Sequence, residues 1–569
     1  MCGICGYIGK NNGIDEVVQG LNILEYRGYD SCGIAYLENK KLKTIKTVGG
    51  VNNLSNLSKS MSANIVIGHT RWATHGGVNE RNAHPHISSS KKLAMVHNGI
   101  IENYKELKEQ LDVNFCSETD SEVFLNLIDS EEGSLVEKVI KASKKVQGTF
   151  AVIVLAENGE VVLGKRESPL YLSNMNGEIF IASDVLALKG EYFYSLNDDE
   201  FVSIKDFKIL FYNKNGEIIY KKQEKIEKNE VLPEIFYKTH MESEIYETKN
   251  VLLKTLKEYK CEDIFSNIKL PKNFRSISLI ACGTAYHASL MGAEYFKEIG
   301  YDARAYLASE FRYGRELLNK NTLYIFVSQS GETADTIASA KMVKSHKLYT
   351  LALTNTPNSL LNRICKNVLP TFAGREIAVA STKAYTCQIW SLYLFSLYLA
   401  GKKLPSEKKF ANFPFTTFDE TYIKEIASYK KVFFIGRDLD YITAMEASLK
   451  LKEISYINCF AIASGELKHG TLALIDEDAV VIAICTQEKI KTKLISNLEE
   501  IKARGGKVIV VSQFDDFKDF SCVKLSKFDE LFMPIVSVIP MQFLALRICE
   551  FFGYNPDKPR NLAKSVTVE

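Results

Sequence analysis

The sequence predicts a layered α+β domain with antiparallel sheets, followed by two tandem α/β domains that each contain a doubly wound parallel sheet. In roughly the first 225 residues, short apolar runs are separated by turn residues, as in antiparallel strands. From residue 243 the pattern changes to apolar strand, tight turn and amphipathic helix, the order that produces parallel sheets. That order begins again near residue 430, and the chain of 569 residues is long enough for several domains.

The predicted strands of the first region include "NIVIGHTRWA", "KLAMVHNGII" and "TFAVIVLAENGEVVLGKRE", with a helix over "GIDEVVQGLNILEYRG". The stretch "KKQEKIEKNE" at 221–230 is almost wholly charged or polar, which suits a linker and equally a solvated helix face. The change of pattern on either side favours a domain boundary. We expect a first domain over 1–225 and a linker over 226–242. Two α/β domains follow, over 243–402 and 403–556, and a C-terminal segment over 557–569 ends the chain.

Composition limits the possible partners. The net charge is +2, which argues against nucleic acid or an anionic membrane as the main partner. No secretion signal is expected, and the apolar run "IWSLYLFSLYLA" is too short for a membrane span, so it predicts a buried core helix. The twelve cysteines show no disulfide spacing, which favours reduced thiols in the cytoplasm.

Three strand–turn–helix junctions in the first α/β domain are candidates for binding a phosphate. "SQSGET", residues 328–333, follows an apolar strand and precedes a helix, so its backbone N–H groups and hydroxyls can cradle an anion. "ASTKAY" and "ACGTAYH" stand at similar junctions. Ordinary helix capping explains any one of them, but three together favour a phosphorylated ligand.

Four further residues have the chemistry for proton transfer or covalent catalysis. Lys450 and Glu453 share a helix face, although a solvated ion pair is the simpler interpretation. His469 lies in a loop, where an isolated histidine is more often incidental. Lys564 could form a Schiff base, but the composition of the segment around it predicts a frayed tail.

The N-terminal "CGIC" and a group of five histidines raise the alternative of a zinc or redox site. His69, His75, His84, His86 and His97 fall close together, but their spacing lacks the regularity of a structural zinc site. The Arg and Trp in "HTRWATHG" suit a carboxylate-bearing ligand better. The expected metal content is none.

Several motifs carry a resemblance to known families. "MCGICGYIG", "GHTRWATHG", "NAHPH", "HNGIIENY" and "SETDSEV" resemble the class II glutamine amidotransferase domain, an N-terminal nucleophile (Ntn) fold. "SQSGETADT", "ASTKAYTCQ", "LKLKEISYI", "ASGELKHG" and "PRNLAKSVTVE" resemble the paired sugar-isomerase (SIS) domains of the glutamine–fructose-6-phosphate aminotransferases (isomerizing). This family makes D-glucosamine 6-phosphate from D-fructose 6-phosphate and L-glutamine, the first step of hexosamine and UDP-N-acetylglucosamine biosynthesis. The resemblance implies no cofactor.

The resemblance assigns the glutamine half of the reaction to the first domain. Cys2 corresponds to the nucleophile, and removal of Met1 would give it a free α-amine, which can act as the general base. Asn98 and the N–H of Gly99 correspond to the oxyanion hole. The implied pocket residues, with Trp72 as a gate for ammonia, are Arg27, Arg71, Trp72, Thr74, His75 and Asp120. Cys5 is then expected to be a small residue of the core in the first strand.

The resemblance assigns the sugar half to the α/β domains. Glu453 corresponds to the base between C1 and C2 with Lys450 beside it, His469 to the ring-opening residue and Lys564 to the Schiff-base lysine. His469 would come from a partner subunit, which implies a homodimer. The implied sugar-phosphate residues are Ser328, Gln329, Ser330, Thr333, Val379 and Ser381. Ala285 stands where relatives often have serine, so one hydroxyl contact is missing.

Three other functions remain open from the sequence. A related SIS-domain amidotransferase could act on another ketose phosphate, although the intact "NLAKSVTVE" and "KLKEIS" favour fructose 6-phosphate. A sugar-phosphate-binding regulator with an inactive glutaminase would show damaged catalytic motifs, and none is visible. A zinc or redox protein is the third.

Overall fold

The structure is a computed structural model that describes residues 2–226, 237–261, 264–314 and 318–566. The chain divides into two compact units, Met1–Lys228 with Ser565–Glu569, and Asn229–Lys564. Most of the predicted linker at 226–242 lies outside the described residues. Its last three residues belong to a helix that begins at His240. The charged stretch at 221–230 also contains a short strand, Glu224–Lys225, because this segment pairs with Tyr192 and Phe193.

The first unit contains antiparallel strands and helices on their outer sides. Its described strands are β1 (Gly3–Ile8), β2 (Ser31–Glu38), β3 (Lys41–Val48), β4 (Ile65–Arg71), β5 (His86–Ile87), β6 (Leu93–Ile101), β7 (Gly148–Ala156), β8 (Val161–Arg166), β9 (Tyr171–Met175), β10 (Glu178–Ala182), β11 (Tyr192–Ser195), β12 (Glu200–Lys205), β13 (Lys208–Tyr212), β14 (Ile218–Ile219) and β15 (Glu224–Lys225). Its described helices are α1 (Gly13–Leu24), α2 (Val51–Ser58), α3 (Tyr104–Glu109), α4 (Asp120–Ser130) and α5 (Leu135–Lys145).

These strands form two sheets within the described residues, ordered β15-β11-β9-β10-β1-β4-β2-β3 and β14-β13-β12-β8-β7-β6-β5. Successive side chains of a strand point to opposite faces, so each sheet buries two faces. In β1, Ile4 and Ile8 join the core between the sheets, whereas Cys5 and Tyr7 pack against α1. Helices α4 and α5 cover the far face of the second sheet. The unit is therefore a four-layer sandwich of helix, sheet, sheet and helix.

The second unit alternates strands and helices, as the sequence predicts. Its described strands are β16 (Ser276–Ala281), β17 (Asp302–Leu307), β18 (Thr322–Ser328), β19 (Tyr349–Thr354), β20 (Asn367–Pro370), β21 (Lys431–Gly436), β22 (Cys459–Ala463), β23 (Ala479–Cys485), β24 (Lys507–Ser512) and β25 (Ser521–Lys524). Its described helices are α6 (His240–Cys261), α7 (Gly283–Glu298), α8 (Ala308–Phe311), α9 (Ala334–Ser345), α10 (Leu360–Ile364), α11 (Lys383–Leu399), α12 (Glu420–Ser428), α13 (Leu439–Ser455), α14 (Lys491–Lys502) and α15 (Met533–Phe551).

The strands of the second unit form two parallel sheets with the same topology. Their orders are β17-β16-β18-β19-β20 and β22-β21-β23-β24-β25, so in each sheet the first strand lies between the second and the third. The chain therefore changes direction across the sheet between β16 and β18, and again between β21 and β23. Ligands of open α/β sheets bind at such switch points, at the carboxyl ends of the strands.

One continuous core joins both sheets of the second unit, and it includes residues of α6, α7, α11, α13 and α15. Helix α11 contains the apolar run predicted to be a core helix, and Trp390 within it is completely buried. Helix α15 is long and apolar enough to cross a membrane by length and composition, but 83% of its most apolar window is buried inside the protein. It packs against α13 and serves as another core helix.

Candidate active sites

Cys2, just before β1 of one sheet, meets Asn98, which lies within β6 of the other sheet of the first unit. Cys2 precedes β1 by one residue and shares the parity of Ile4, whose side chain faces the second sheet. Asn98 has the same parity as Val96 in β6, which faces back toward the first sheet. The Asn98 amide donates a hydrogen bond to the Cys2 carbonyl oxygen at 3.0 Å, and the Trp72 N–H donates to the Cys2 sulfur at 3.2 Å.

The environment of Cys2 keeps the thiol protonated at rest. Burial raises the pKa of the Cys2 thiol, although the Trp72 N–H and the charge of Arg71 act in the opposite direction. Attack by sulfur therefore requires a base. The parity of the strand also separates the two cysteines of "CGIC". Cys5 is buried on the opposite face of β1 against α1, which confirms that it is a core residue.

Gly99 sits beside Asn98 in a conformation that suits glycine. Its φ is +141°, and a Cβ atom there would lie 2.1 Å from the carbonyl oxygen of Thr149 on β7. Any side chain would push β6 away from β7 and move the Gly99 N–H. Close packing of these two strands thus fixes both expected oxyanion donors on one rigid element.

His69 orients the Asn98 side chain. Its Nε2 lies 3.1 Å from Asn98 Oδ1 and 3.0 Å from the His97 carbonyl oxygen, so two acceptors assign the proton to this nitrogen. The Asn98 oxygen is thereby turned toward His69 and its NH₂ group toward Cys2. Burial lowers the pKa of His69 to about 3, which keeps the ring neutral.

Arg71 and Asp120 lie near the nucleophile but have different partners. The Arg71 guanidinium donates to the carbonyl oxygens of His75 and Gly77, at 2.5 and 3.1 Å, and so holds the loop that follows β4. Asp120 begins α4 and is 3% exposed. Its Oδ2 accepts the Ile101 N–H at 2.8 Å.

The other predicted glutamine residues occupy two locations. Trp72 and His75 lie in the loop after β4, where their rings pack edge-on against Tyr29 and Tyr104, and Thr74 is exposed between them. Arg27 lies just after α1, where it forms an ion pair of 2.5 Å with Asp184 and donates to the Ser183 carbonyl oxygen at 3.4 Å. Its role in binding a ligand stays a prediction.

Four of the five clustered histidines are buried, and the rings of three of them pack against one another. His69 stacks on His84 at 4.2 Å between ring centroids, and His84 meets His86 edge-on at 4.6 Å. Burial lowers the pKa of all four rings, His97 included. Within the described ranges, no group of three or more His, Cys, Asp or Glu side chains could hold a metal ion. The cluster fills the interior behind the Cys2 site.

The loop 328–333 forms a cup of hydroxyl groups at the switch point of the first parallel sheet. Ser328 ends β18, and its hydroxyl lies 2.9 Å from that of Thr333, the N-cap of α9. The Gly331 N–H donates to Ser328 Oγ at 3.1 Å. Gly331 has φ +65°, and a Cβ there would lie 2.1 Å from Ser359 Oγ, so only glycine fits this tight turn.

The C-terminal segment is anchored, which overturns the frayed tail that its composition predicts. Both carboxylate oxygens of Asp557 accept N–H groups of His240 and Met241 at the start of α6, at 2.9 and 2.8 Å. The Arg560 guanidinium lies 4.1 Å above the Tyr456 ring, and the Arg560 backbone N–H donates to the Tyr456 hydroxyl. These contacts hold the chain four residues before Lys564, whose side chain is 3% exposed.

Lys564 forms an ion pair with Glu376, and both side chains are buried. Glu376 also accepts the N–H groups of Thr382 and Ala384 at 2.9 and 3.0 Å, at the beginning of α11. The Ser381 hydroxyl donates to the same carboxylate at 2.9 Å. Ser381, which is predicted to contact the sugar, therefore touches the partner of Lys564, while the N–H of Val379, also predicted to do so, donates to the Asp557 carbonyl oxygen at 3.4 Å.

Lys450 is the centre of a buried charge network on α13. Its ammonium lies 2.6 Å from Glu453 and 3.4 Å from Glu446, and it donates to the Thr284 hydroxyl at 3.0 Å. Burial alone would lower the pKa of Lys450, but the two carboxylates raise it overall. Burial raises the pKa of Glu453, while the charges of Lys450 and Lys564 oppose that rise. His287 completes the network with a 2.7 Å contact to Glu446.

His469 and Ala285 lie differently from these residues. His469 is exposed at the end of a short 3₁₀ helix, Ser464–His469, which follows β22. Ala285 is half-buried in the first turn of α7, beside Thr284. The hydroxyl that a serine at position 285 would carry is therefore missing from the same helix start that supplies Thr284 to the charge network.

The second parallel sheet has a corresponding switch point, and a protein carboxylate occupies it. Asp440, in the first turn of α13, accepts the backbone N–H and the hydroxyl of Thr486 at 2.8 and 2.5 Å. Thr486 directly follows β23, the strand equivalent to β18 in the first sheet. Asp440 is completely buried, and burial raises its pKa to about 7.

Sequence reasoning missed several residues of these sites. Glu446 precedes Lys450 by four positions, so helical spacing alone could have indicated it. Thr284 stands within a junction already singled out for phosphate binding. Glu376 gave no such signal, because Lys564 is 188 positions away in the sequence.

Comparison with known proteins covers the whole chain. Residues 55–247 match the model of a glutamine amidotransferase domain, and residues 272–398 and 425–520 match the SIS domain. The glutamine–fructose-6-phosphate aminotransferase (isomerizing) of Clostridium acetobutylicum is 41% identical, with 100% of both chains covered. The enzymes of that name from Aquifex aeolicus and Methanosarcina acetivorans are each 38% identical over the same full coverage.

A solved structure is similar to the second half. The C-terminal domain of glucosamine-fructose-6-phosphate aminotransferase from Francisella tularensis is 32% identical, with a TM-score of 0.51, and covers 58% of this chain and 100% of its own. These likenesses agree with an antiparallel amidotransferase unit followed by parallel SIS sheets. The chain therefore belongs to the glutamine–fructose-6-phosphate aminotransferase (isomerizing) family.

Proposed function

We propose that this chain converts L-glutamine and D-fructose 6-phosphate into L-glutamate and D-glucosamine 6-phosphate. The observation that carries the proposal is the burial of Lys564 against Glu376, beside a network that includes Glu453. A lysine enclosed next to carboxylates and a hydroxyl-rich loop suits covalent chemistry on a keto sugar phosphate. The Cys2 site of the first unit supplies the nitrogen.

In the glutamine half, Cys2 attacks the side-chain amide and releases ammonia. The α-amine of Cys2, free once Met1 is removed, takes the thiol proton. The Asn98 amide and the Gly99 N–H stabilise the oxyanion, and hydrolysis of the thioester gives glutamate. Arg71 is the proposed partner of the substrate carboxylate and Asp120 of its ammonium, which opposite charges favour. Thr74, His75 and Arg27 complete the proposed pocket, with Trp72 at the exit for ammonia.

In the sugar half, the hydroxyl cup holds the phosphate and the lysine binds the open-chain sugar. Ser328, Gln329, Ser330 and Thr333 surround the phosphate, while Val379 and Ser381 contact the sugar. Lys564 forms an imine with C2, and ammonia then replaces the lysine there. Glu453, with Lys450 beside it, moves a proton from C1 to C2 to give the amino aldose.

The proposal includes a homodimer in the cytoplasm. His469 opens the sugar ring in the site of the partner subunit, and its exposed position at the end of a 3₁₀ helix suits such a contact. Twelve free cysteines fit a reducing compartment. Native mass measurement, together with activity restored by mixing H469A and K564A subunits, tests this part.

A coupled assay for glutamate and glucosamine 6-phosphate tests the reaction. The purified chain should form both products from fructose 6-phosphate, and turnover of other ketose phosphates should be slower. C2A should abolish glutamine-dependent synthesis, as should retention of Met1. K564A should hydrolyse glutamine but make no amino sugar, and amino sugar produced by K564A would refute the proposal.

A further inference from the structure

We propose that Glu376 takes the ammonium proton from Lys564, so that the neutral amine can attack the sugar, and returns it to the hydroxyl that leaves as water. This inference rests on the proposed Schiff-base reaction and adds a second acid–base residue to it. Glu453 would act only at C1 and C2. Sequence motifs gave no reason to select Glu376, which is 188 positions away from Lys564 in the chain.

The geometry of Glu376 fits a base dedicated to Lys564. Its Oε2 accepts a hydrogen bond from Lys564 Nζ, the atom that would react, so a proton can pass without rearrangement. Its Oε1 is fixed by the N–H groups of Thr382 and Ala384. These donors lie at the positive end of the α11 dipole, which stabilises an anion. The carboxylate is thereby held in one orientation toward the lysine.

A second carboxyl group, Glu244 of α6, is buried beside the same loop but has different partners. Its Oε1 accepts the N–H groups of Ile377 and Ala378, at 2.5 and 3.2 Å. Burial and the neighbouring Glu376 raise the pKa of Glu244 to about 8. Burial acts the same way on Glu376, but the Lys564 charge and the α11 N–H groups lower its pKa to about 2. Glu244 is thus the neutral acid and Glu376 the anion.

The remaining charged groups around this pair are already engaged. Lys383 of α11 forms an ion pair of 2.6 Å with Glu247 of α6. Burial keeps the Cys387 thiol of α11 protonated by raising its pKa to about 12. Glu453 on α13 is bound to Lys450 at 2.6 Å. Glu376 is therefore the anion best placed to receive the Lys564 proton.

The proposed step conserves atoms and charge. The Lys564 ammonium gives one proton to the Glu376 carboxylate, and the neutral Nζ adds to C2 of the ketone. The resulting carbinolamine carries N–H and O–H groups. Glu376 then donates its proton to the C2 hydroxyl as the C–O bond breaks. The products are a protonated imine, water and the Glu376 carboxylate, with the total charge unchanged.

The test compares E376Q with the matched control E244Q in the full chain. Borohydride trapping of Lys564 with fructose 6-phosphate reports imine formation directly. In E376Q the trapping rate should fall about 100- to 10,000-fold, the range for loss of a general acid–base group. Its pH profile should move to higher pH, because the lysine proton must then pass to solvent. E244Q should trap at the parental rate, since an amide replaces an acid that is already neutral.

Further variants separate this inference from the proposed function. E376D keeps the base at a shorter reach, so it should trap faster than E376Q with the parental pH profile. Glutamine hydrolysis should be unchanged in every variant, because the Cys2 site lies in the first unit and all the substituted residues lie in the second. Parental trapping in E376Q, with K564A inactive in synthesis, would overturn the role of Glu376 alone. Synthesis by K564A would instead overturn the Schiff-base reaction itself.

Discussion

Replacing Asn98 with alanine should slow glutamine hydrolysis about 100- to 1,000-fold, the loss typical for one oxyanion donor. The proposed hole has two donors, the Asn98 amide and the Gly99 N–H, and the substitution removes one of them. The corresponding cost, about 2.7–4 kcal/mol, applies to the transition state, so kcat should fall while KM for glutamine stays nearly constant.

The structure also predicts that N98A remains folded. The substitution removes the 3.0 Å hydrogen bond to Cys2 and the 3.1 Å contact with His69. His69 Nε2 keeps its other acceptor, the His97 carbonyl oxygen at 3.0 Å, so no donor is left without a partner. The free energy of unfolding should therefore fall by only about 1 kcal/mol, as for an ordinary hydrogen bond.

The assay measures glutamate release and, separately, amino-sugar synthesis from added ammonium salt. N98A should lose the first and keep the second, because ammonia bypasses the Cys2 site. Asn126 is the matched control, a buried asparagine of the same unit that is 2% exposed and bonds the Glu122 carbonyl at 2.9 Å. N126A should hydrolyse glutamine at the parental kcat. A kcat for N98A within threefold of the parent, or an equal fall in both assays, would refute the reasoning.

Three other predictions concern binding, packing and pH. T333V removes a hydroxyl of the phosphate cup, so KM for fructose 6-phosphate should rise about tenfold or more, the value of a hydrogen bond to a charged group, while glutaminase activity is unchanged; an unchanged KM would contradict the assignment. C5A should keep glutaminase activity, because Cys5 is a core residue on the face of β1 opposite to Cys2, and lost activity without lost stability would disprove this. Burial raises the pKa of Asp440 to about 7, so between about pH 4 and pH 7 the folded state holds a proton that the unfolded state releases. The free energy of unfolding should therefore fall as pH rises from about 4 to about 7. Chemical denaturation of D440N should lack this loss, and identical pH profiles for D440N and the parent would count against it.

Local patterns in the sequence were sufficient for much of the fold. A strand or helix that buries one face has apolar residues at a regular spacing in the sequence. This spacing made it possible to predict β4, β6 and the repeated α/β units. The alternation of side chains along a strand also predicts that Cys2 and Cys5 point to opposite faces. The short strand at Glu224–Lys225 could not be predicted, because a partner strand stabilises it and its own composition favours solvent.

The sites depended more on tertiary contacts. The composition of the C-terminal segment predicts fraying, whereas contacts of Asp557 with α6, of Arg560 with Tyr456 and of Lys564 with Glu376 hold it in place. Glu376 became visible only when the fold brought it to Lys564. Motif resemblance indicated Cys2, Asn98, Glu453 and the hydroxyl cup, because each of them lies within a short motif of the sequence. The role of Arg27 in binding glutamine stays a prediction, and its observed ion pair with Asp184 had no signal in the sequence.

Because the Asp440 side chain fills the switch point of the second sheet, the two copies of the SIS fold can evolve in different ways. A duplicated binding fold starts with two equivalent pockets, and either can drift while the other preserves the activity. Here the second pocket contains a buried internal carboxyl group, which accepts the Thr486 N–H and hydroxyl just after β23. To bind a ligand, the second pocket would have to lose the buried Asp440 side chain, and the Thr486 N–H and hydroxyl would need new hydrogen-bond partners. A single mutation on the surface does neither.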